Sequence, residues 1–389
     1  MLTRKNILLS YFYVKLKKIK TVMFIYFILI ILFLLSIKMF GSNSEKMYIF
    51  FVFLLTFIAF FRSKSVGADN FVYFLNFKNS TMNPLTWSAY TEFEPGFAWF
   101  TAFFKTYISN NYLSYMGTLF LVYMIGVNNI IKRFESKLLC LFFWVLFLFY
   151  TQSFNIMRQS FALGVYFLYF PLLIKMEECE RKRNKYLIMY LGLVLLTTFY
   201  LHRSIIIMAI IPVFIYFKNR KIFNNKKYLL GILLASYVLV FINSLLYKLL
   251  PYIIGYFNFL GDRYVGYIAT SSDAEVTISK LSSLMNVIFA MYVVKICPQE
   301  KINNYLFQTY ILSIVLSNLL GSFSDLFLRI ALNLSFFQIF VFSYLWINIH
   351  SFRDRLQFRF FLIIYGMIMY SNAIIKNFGL IVPYSNQFF

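Results

Sequence analysis

The chain has 389 residues, of which 61% are hydrophobic and only 13% are charged. A soluble domain needs a charged outer surface, so this balance excludes one and indicates an all-α polytopic membrane protein. Lys and Arg number 37 against 14 acids, giving +23, but the positives gather in short loops between apolar runs, a pattern of membrane orientation rather than nucleic-acid binding.

The stretch up to Lys20 carries six positive charges and precedes the apolar run 21–40 without a small-residue cleavage site, which reads as an uncleaved anchor. A second span is expected over 47–61. Segment 93–108 contains Glu94, Pro95 and Lys105 and is a poor span, better read as a re-entrant or surface helix. Spans then alternate over 111–131, 138–153, 154–174, 186–201, 203–217, 228–250, 281–297, 305–323, 326–349 and 358–375. The expectation is about 12 transmembrane helices (12–13) of the length a bilayer needs. The basic loops Lys132–Lys137, Lys175–Lys185, Lys218–Lys227 and Arg353–Arg359 belong in the cytoplasm. The Thr151–Arg158 turn, His202, the 251–280 loop, Asp325 and the C-terminal tail then face outside. If 93–108 does not cross, the N-terminus also lies outside, against its own charges; if it does cross, the N-terminus is inside. No internal repeat or linker is visible, so residues 1–389 read as one membrane domain. Cys140, Cys179 and Cys297 lie in or beside apolar segments, with no disulfide framework or metal spacing. No acidic cluster is dense enough for a metal, so neither metal nor other cofactor is expected.

Several polar residues stand where lipid would not accept them. Asn155, Arg158, Gln159 and Ala162 recur at i, i+3, i+4 and i+7 and share one helical face. An arginine near a helix centre costs about 2.5–3.5 kcal/mol by insertion scales, less near an end. Arg158 is therefore either a structural arginine bonded to nearby carbonyls or part of an anion site open to the outside; its amide companions favour the second. The 186–217 hairpin has 32 residues, too few for two full crossings at about 20 each. Its apex, His202-Arg203, should sit in a recess. His202 is there either a polar turn residue or a group that contacts phosphate or moves a proton. Asp325, Arg329 and Asn333 form a stripe at i, i+4 and i+8, although Asp325 could simply cap its helix and pair with Arg329. Arg263 falls in the external loop, where a solvated charge is the plainer reading. Asp69 and Glu94 each sit among Gly and aromatic residues, which suits sugar binding, though a carboxylate at a membrane surface is often only a cap.

The ordered set Arg62, Gly67-x-Asp69, Tyr73, Glu94-x-Gly96-Phe97, Asn155-x-x-Arg158-Gln159-x-x-Ala162 and His202-x-Ser204 resembles the EpsG-type, Wzy-like polysaccharide polymerases of bacteria. The resemblance is strongest from residue 60 to about 215. After 220 only Asp325…Arg329 and Pro383-Tyr384 match. Ala68 stands where the family often has Thr. The resemblance implies a transferase at the outer face of the cytoplasmic membrane. It would move a growing glycan from undecaprenyl diphosphate onto a lipid-linked oligosaccharide repeat unit. A chain-length regulator and a flippase of the same pathway are the implied partners. Arginines would then neutralise the leaving diphosphate, and a carboxylate or His would take the acceptor proton. The candidate catalytic residues are Asp69, Glu94, Arg158 and His202. Candidate substrate-binding residues are Arg62, Tyr73, Asn155, Gln159, Arg203, Arg263, Asp325 and Arg329. A ligase with the same donor, a membrane acyltransferase, or a flippase or transporter are the alternatives. A transporter should show repeated halves and charges near the midplane, whereas these charges lie at the outer end.

Overall fold

A computed structural model describes residues 25–83, 93–218, 225–255, 280–321, 325–382 and 384–385. Among them every regular element is a helix and no strand occurs. Four helices, Tyr112–Ile131, Met157–Glu178, Leu328–Asn348 and Phe352–Ile375, are long and apolar enough to cross a membrane. Each reaches the ~30 Å that a hydrocarbon core requires at about 1.5 Å per residue. Shorter apolar helices cover Ile25–Phe40, Lys137–Leu146, Arg203–Tyr216 and Tyr305–Leu320.

The chain packs as two compact units. The first comprises residues up to Ile174 with Ile188–Arg203 and Phe360–Phe389; the second comprises Lys175–Leu187 with Ser204–Arg359. In the first, the Tyr112–Ile131 and Met157–Tyr169 helices lie almost backbone to backbone. A Cβ on Gly126 would meet the Gly164 carbonyl, and one on Gly164 would come 2.6 Å from Tyr123 Cα. Small residues permit this closeness, which supplies the dispersion contacts that hold helices together in an apolar medium. Several buried polar groups inside the unit pair with one another. Tyr48 donates to Asn128 Oδ1 at 2.6 Å, Trp144 Nε1 to the Tyr123 hydroxyl at 3.1 Å, and Tyr150 to the Leu55 carbonyl at 3.0 Å.

Three elements depart from the sequence reading. The 138–153 span is interrupted, because Lys137–Leu146 ends before Leu148, which adopts a left-handed φ of 70° ahead of Phe149–Gln152. The local sequence offers no Gly or Pro to mark this break. The 203–217 segment begins as a 3-10 helix, Arg203–Ile210, and becomes α only over Ile211–Tyr216. Pro212 accounts for the change, since its ring clashes with the carbonyl four residues back and it has no N–H to give. An additional helix, Asn70–Asn79, buries Asn70, Tyr73, Asn76 and Phe77 while Phe71, Val72 and Leu75 point outward. Its polar-in, apolar-out pattern is the reverse of the one that announces a helix. Segment 93–108 forms Pro95–Phe103 followed by a π-turn to Ile108, about 20 Å in length and short of a full crossing. Lys105, which made this segment a poor span, donates Nζ to the carbonyls of Lys78 and Ser80 at 2.6 and 3.0 Å, capping the Asn70–Asn79 helix.

In the second unit, Tyr305–Leu320 packs against Lys226–Gly255, Lys280–Ile296, Asp325–Ser335 and Gln338–Asn348. Asn318 donates to Ser236 Oγ at 2.9 Å. Asn333 donates to both the carbonyl and the hydroxyl of Ser204, each at 3.0 Å.

Candidate active site

The first unit gathers most of the polar residues picked out by pattern. Arg158 begins the second residue of the Met157–Tyr169 helix. Its Nη1 lies 2.9 Å from Glu94 Oε2, and its guanidinium carbon sits 4.4 Å from the centroid of the Phe93 ring. The Arg158 side chain is 19% exposed and that of Glu94 8%. Arg158 Nε is buried and makes no hydrogen bond among the described residues. The other Glu94 oxygen, Oε1, accepts the Arg203 backbone N–H at 3.1 Å. One carboxylate therefore holds the guanidinium and the Arg203 backbone together.

Local sequence explains how Glu94 gets there. Pro95 occupies the first turn of the Pro95–Phe103 helix and Glu94 precedes it with extended backbone, the arrangement a proline at that position prefers. Gly96 then lets this helix meet the end of the Arg183–Tyr200 helix, because a Cβ would stand 2.7 Å from the Tyr200 carbonyl oxygen. At the apex, the N–H groups of Leu201 and His202 both return to the Thr197 carbonyl, at 2.9 and 3.1 Å. His202 is half-buried and Arg203 exposed.

Asp69 lies on the neighbouring turn. Gly67 has a φ of +109° and its α-carbon lies against the Phe154 carbonyl, where a side chain has no room. The Asp69 N–H donates to Asn155 Oδ1 at 2.9 Å. Asp69 is half-buried and precedes the Asn70–Asn79 helix without capping it through its side chain. Asn155 is thus occupied with backbone, three residues before Arg158. Gln159 is buried at 2% exposure.

Arg62 has a different setting. It is fully buried, donating Nη1 to the Ala59 carbonyl at 2.7 Å and Nη2 to Met157 Sδ at 2.9 Å, and it stacks 4.8 Å from the Phe154 centroid. Tyr73 is buried in an aromatic cluster, with its ring 5.6 Å from Phe93 and 6.4 Å from Phe97. Tyr73 therefore backs the ring that carries Arg158. Arg329, half-buried, and Asp325 belong to the helix Asp325–Ser335 of the second unit, and the Asp325 side chain lies outside what is described. Arg263 lies outside the described residues. Among the described residues no three His, Cys, Asp or Glu side chains gather as a metal-binding set.

Two participants escaped the sequence reading. Phe93 was available as the neighbour of Glu94, but nothing in its spacing marks it as a platform for a cation 65 residues away. The tail residues Gly379 and Leu380 also escaped. Their carbonyls accept the N–H groups of Ala68 and Gly67 at 2.8 and 3.0 Å, a long-range pairing that no local pattern encodes.

A model of the EpsG family matches residues 45–386. The chain belongs to the EpsG family. EpsG proteins are a Wzy-like polysaccharide polymerase family, so this is a membrane protein of the polysaccharide-polymerase type, with glycosyl-transferring activity in general. The EpsG match takes in every site residue above and covers parts of both compact units. No curated protein and no solved structure matches the chain.

Proposed function

We propose that this EpsG protein polymerises lipid-linked repeat units at the outer face of the cytoplasmic membrane, the two units acting as one catalytic domain. The single observation that carries the reading is the Arg158–Glu94 pair. A guanidinium fixed by a carboxylate and an aromatic face and still 19% exposed is prepared for a second anion. A diphosphate meets that need. In the reaction, an acceptor sugar hydroxyl attacks the anomeric carbon of the growing chain. The bond from that carbon to the diphosphate oxygen breaks, and its electron pair leaves with undecaprenyl diphosphate. Arg158 stabilises the new charge, with Arg203 and His202 contacting the phosphates. The hydroxyl proton goes to a carboxylate.

That carboxylate is Asp69 rather than Glu94 in this reading. Both Glu94 oxygens are already engaged, one with the Arg158 guanidinium and the other with the Arg203 backbone N–H, so neither is free to receive the acceptor hydroxyl. Glu94 then orients Arg158. Arg158 supplies the cation that a metal would otherwise provide, so the reaction is read as metal-independent. The interrupted and shorter apolar helices are read as crossing too, giving about twelve spans with the hairpin apex outside.

The test uses purified protein in detergent with lipid-linked repeat units as the only substrate. A ladder of longer chains, formed without nucleotide sugar and in the presence of EDTA, is expected. Absence of a ladder, together with movement of lipid-linked sugars across liposomes, would replace the polymerase with a transporter.

A further inference from the structure

The turn that carries Asp69 is moulded by the C-terminal tail. Three successive N–H groups, those of Gly67, Ala68 and Asp69, are taken by the Leu380 carbonyl, the Gly379 carbonyl and Asn155 Oδ1 at 3.0, 2.8 and 2.9 Å. None of the three partners belongs to the turn itself. The tail can present those carbonyls because it is folded into a loop of its own. Asn377 closes that loop from both sides: its Nδ2 donates to the Val382 carbonyl at 2.6 Å, and its Oδ1 accepts the Val382 N–H at 2.7 Å. Asn377 and Leu380 have a φ of 51° and Gly379 one of 75°. Left-handed backbone is disfavoured outside Gly, with Asn the best-tolerated exception, so this conformation needs the side-chain closure to persist.

The same loop also reaches Asn155. A Cβ on Gly379 would lie 3.4 Å from the Asn155 side chain, so the tail backs the third acceptor as well. Beyond the loop, the Ser63 N–H donates to the Ser385 carbonyl at 2.7 Å, and the hydroxyls of Ser65 and Ser385 are 3.0 Å apart. The tail is therefore fastened at both ends of the turn.

We infer that Asn377 is a positioning residue for catalysis, acting through the carbonyls of Gly379 and Leu380 to hold the Asp69 carboxylate where the acceptor hydroxyl arrives. This deepens the proposed function and rests on its assignment of Asp69. The tail touches no substrate in this scheme. A fault in it should lower kcat while leaving KM nearly unchanged, since only the reacting group is displaced.

The test combines a kinetic and a chemical readout. Asn377→Ala should accumulate in the membrane and lose about tenfold or more in kcat, with KM within about twofold. Asn377→Asp keeps the acceptor for the Val382 N–H and should lose less. The Ser65→Cys/Ser385→Cys pair, added to Asn377→Ala, replaces two facing hydroxyls with a disulfide that pins the tail. Oxidation should restore kcat, and reduction of the same sample should remove the gain. A general folding defect would not respond in that way. Independently of activity, Ala68→Cys in a Cys179→Ser background should react faster with an impermeant maleimide when Asn377 is Ala, because Ala68 is exposed and its N–H partner is loosened. Unchanged labelling, unchanged kcat, or a loss that oxidation leaves untouched would each overturn the inference. Labelling that responds as expected in a protein that makes no polymer would uphold the tail's role and reject the polymerase reading instead.

Discussion

Two arginines in the first unit show how differently an apolar chain can house the same side chain. Arg62 is fully buried, with Nη1 on a backbone carbonyl, Nη2 on a thioether and its face on Phe154, while its Nε makes no hydrogen bond among the described residues. Burial lowers its pKa to about 10, which still leaves it a cation at neutral pH. Arg158 also has an unbonded Nε, but it is 19% exposed, paired with Glu94 and laid on Phe93. The first arrangement is closed: a ligand would have to displace protein to reach it. The second is open on one side and electrostatically prepared on the other. A guanidinium in an apolar segment therefore does not by itself mark a site. The marks are access and a carboxylate that fixes its direction.

The sharpest way to break this contrast is at the open arginine. Arg158→Ala should abolish polymer, a loss of three orders of magnitude or more, at a normal amount of protein. Removing one donor aimed at developing charge costs about 10²–10³, and this substitution removes several. Arg158→Lys keeps the charge without the planar fork and should retain weak activity. Long polymer from Arg158→Ala would make Arg158 structural and erase the difference from Arg62.

The closed arginine should fail differently. Arg62→Ala leaves the Ala59 carbonyl without its donor and a cavity beside Phe154, so folded protein should fall, by the ~2–5 kcal/mol of a large-to-small core change. Arg62→Met fills most of that volume and should recover more protein than Arg62→Ala. Fluorescence-detected gel filtration after graded heating reads both. A stable, abundant Arg62→Met protein without activity would move Arg62 into the substrate site.

Much of this arrangement could be read from sequence, for definable reasons. Arg158 and Gln159 were legible on one helix because helical spacing is local and polar residues are conspicuous in an apolar chain; Asn155, expected on the same helical face, lies instead in the turn before the Met157–Tyr169 helix. That 186–217 is too short for two full crossings was legible because bilayer thickness sets a minimum length. Arg203, at its expected apex, does meet Glu94 through the backbone N–H. The break at Leu148 was not legible, since a left-handed leucine leaves no mark in an apolar run. Nor was the Asn70–Asn79 helix, whose buried face holds Asn70 and Asn76. The Glu94–Arg158 pair spans 64 positions and the Gly67–Leu380 bond far more. Contacts of that kind depend on how helices pack, which periodicity does not specify.

The Glu94 contact can be sharpened by a double-mutant cycle. Glu94→Gln keeps an acceptor for the Arg203 N–H but removes the charge that directs Arg158. Its expected cost is about ten- to a hundredfold in kcat, as for a charged partner of a reacting group. If Glu94 acts through Arg158, adding Glu94→Gln to Arg158→Lys should cost less than Glu94→Gln alone. Full additivity would point to an independent role for Glu94, including that of base.

The smallest effect expected belongs to Phe93. Its ring lies under the Arg158 guanidinium and beside Tyr73 and Phe97, at 5.6 and 5.7 Å between centroids. Phe93→Leu keeps an apolar contact of similar bulk but removes the negative ring face. A cation–π contact contributes about 0.5–2 kcal/mol depending on solvation, which corresponds to about two- to thirtyfold in rate at 1.4 kcal/mol per decade. Because Arg158 is paired and only partly dry, the lower half of that range is expected. Phe93→Tyr preserves the ring and should remain near wild type in the ladder assay. A Leu variant as active as wild type would show that Glu94 alone sets the direction of Arg158. A Leu variant as impaired as Arg158→Ala would show that the ring does more than hold the guanidinium, and that it faces the sugar as well.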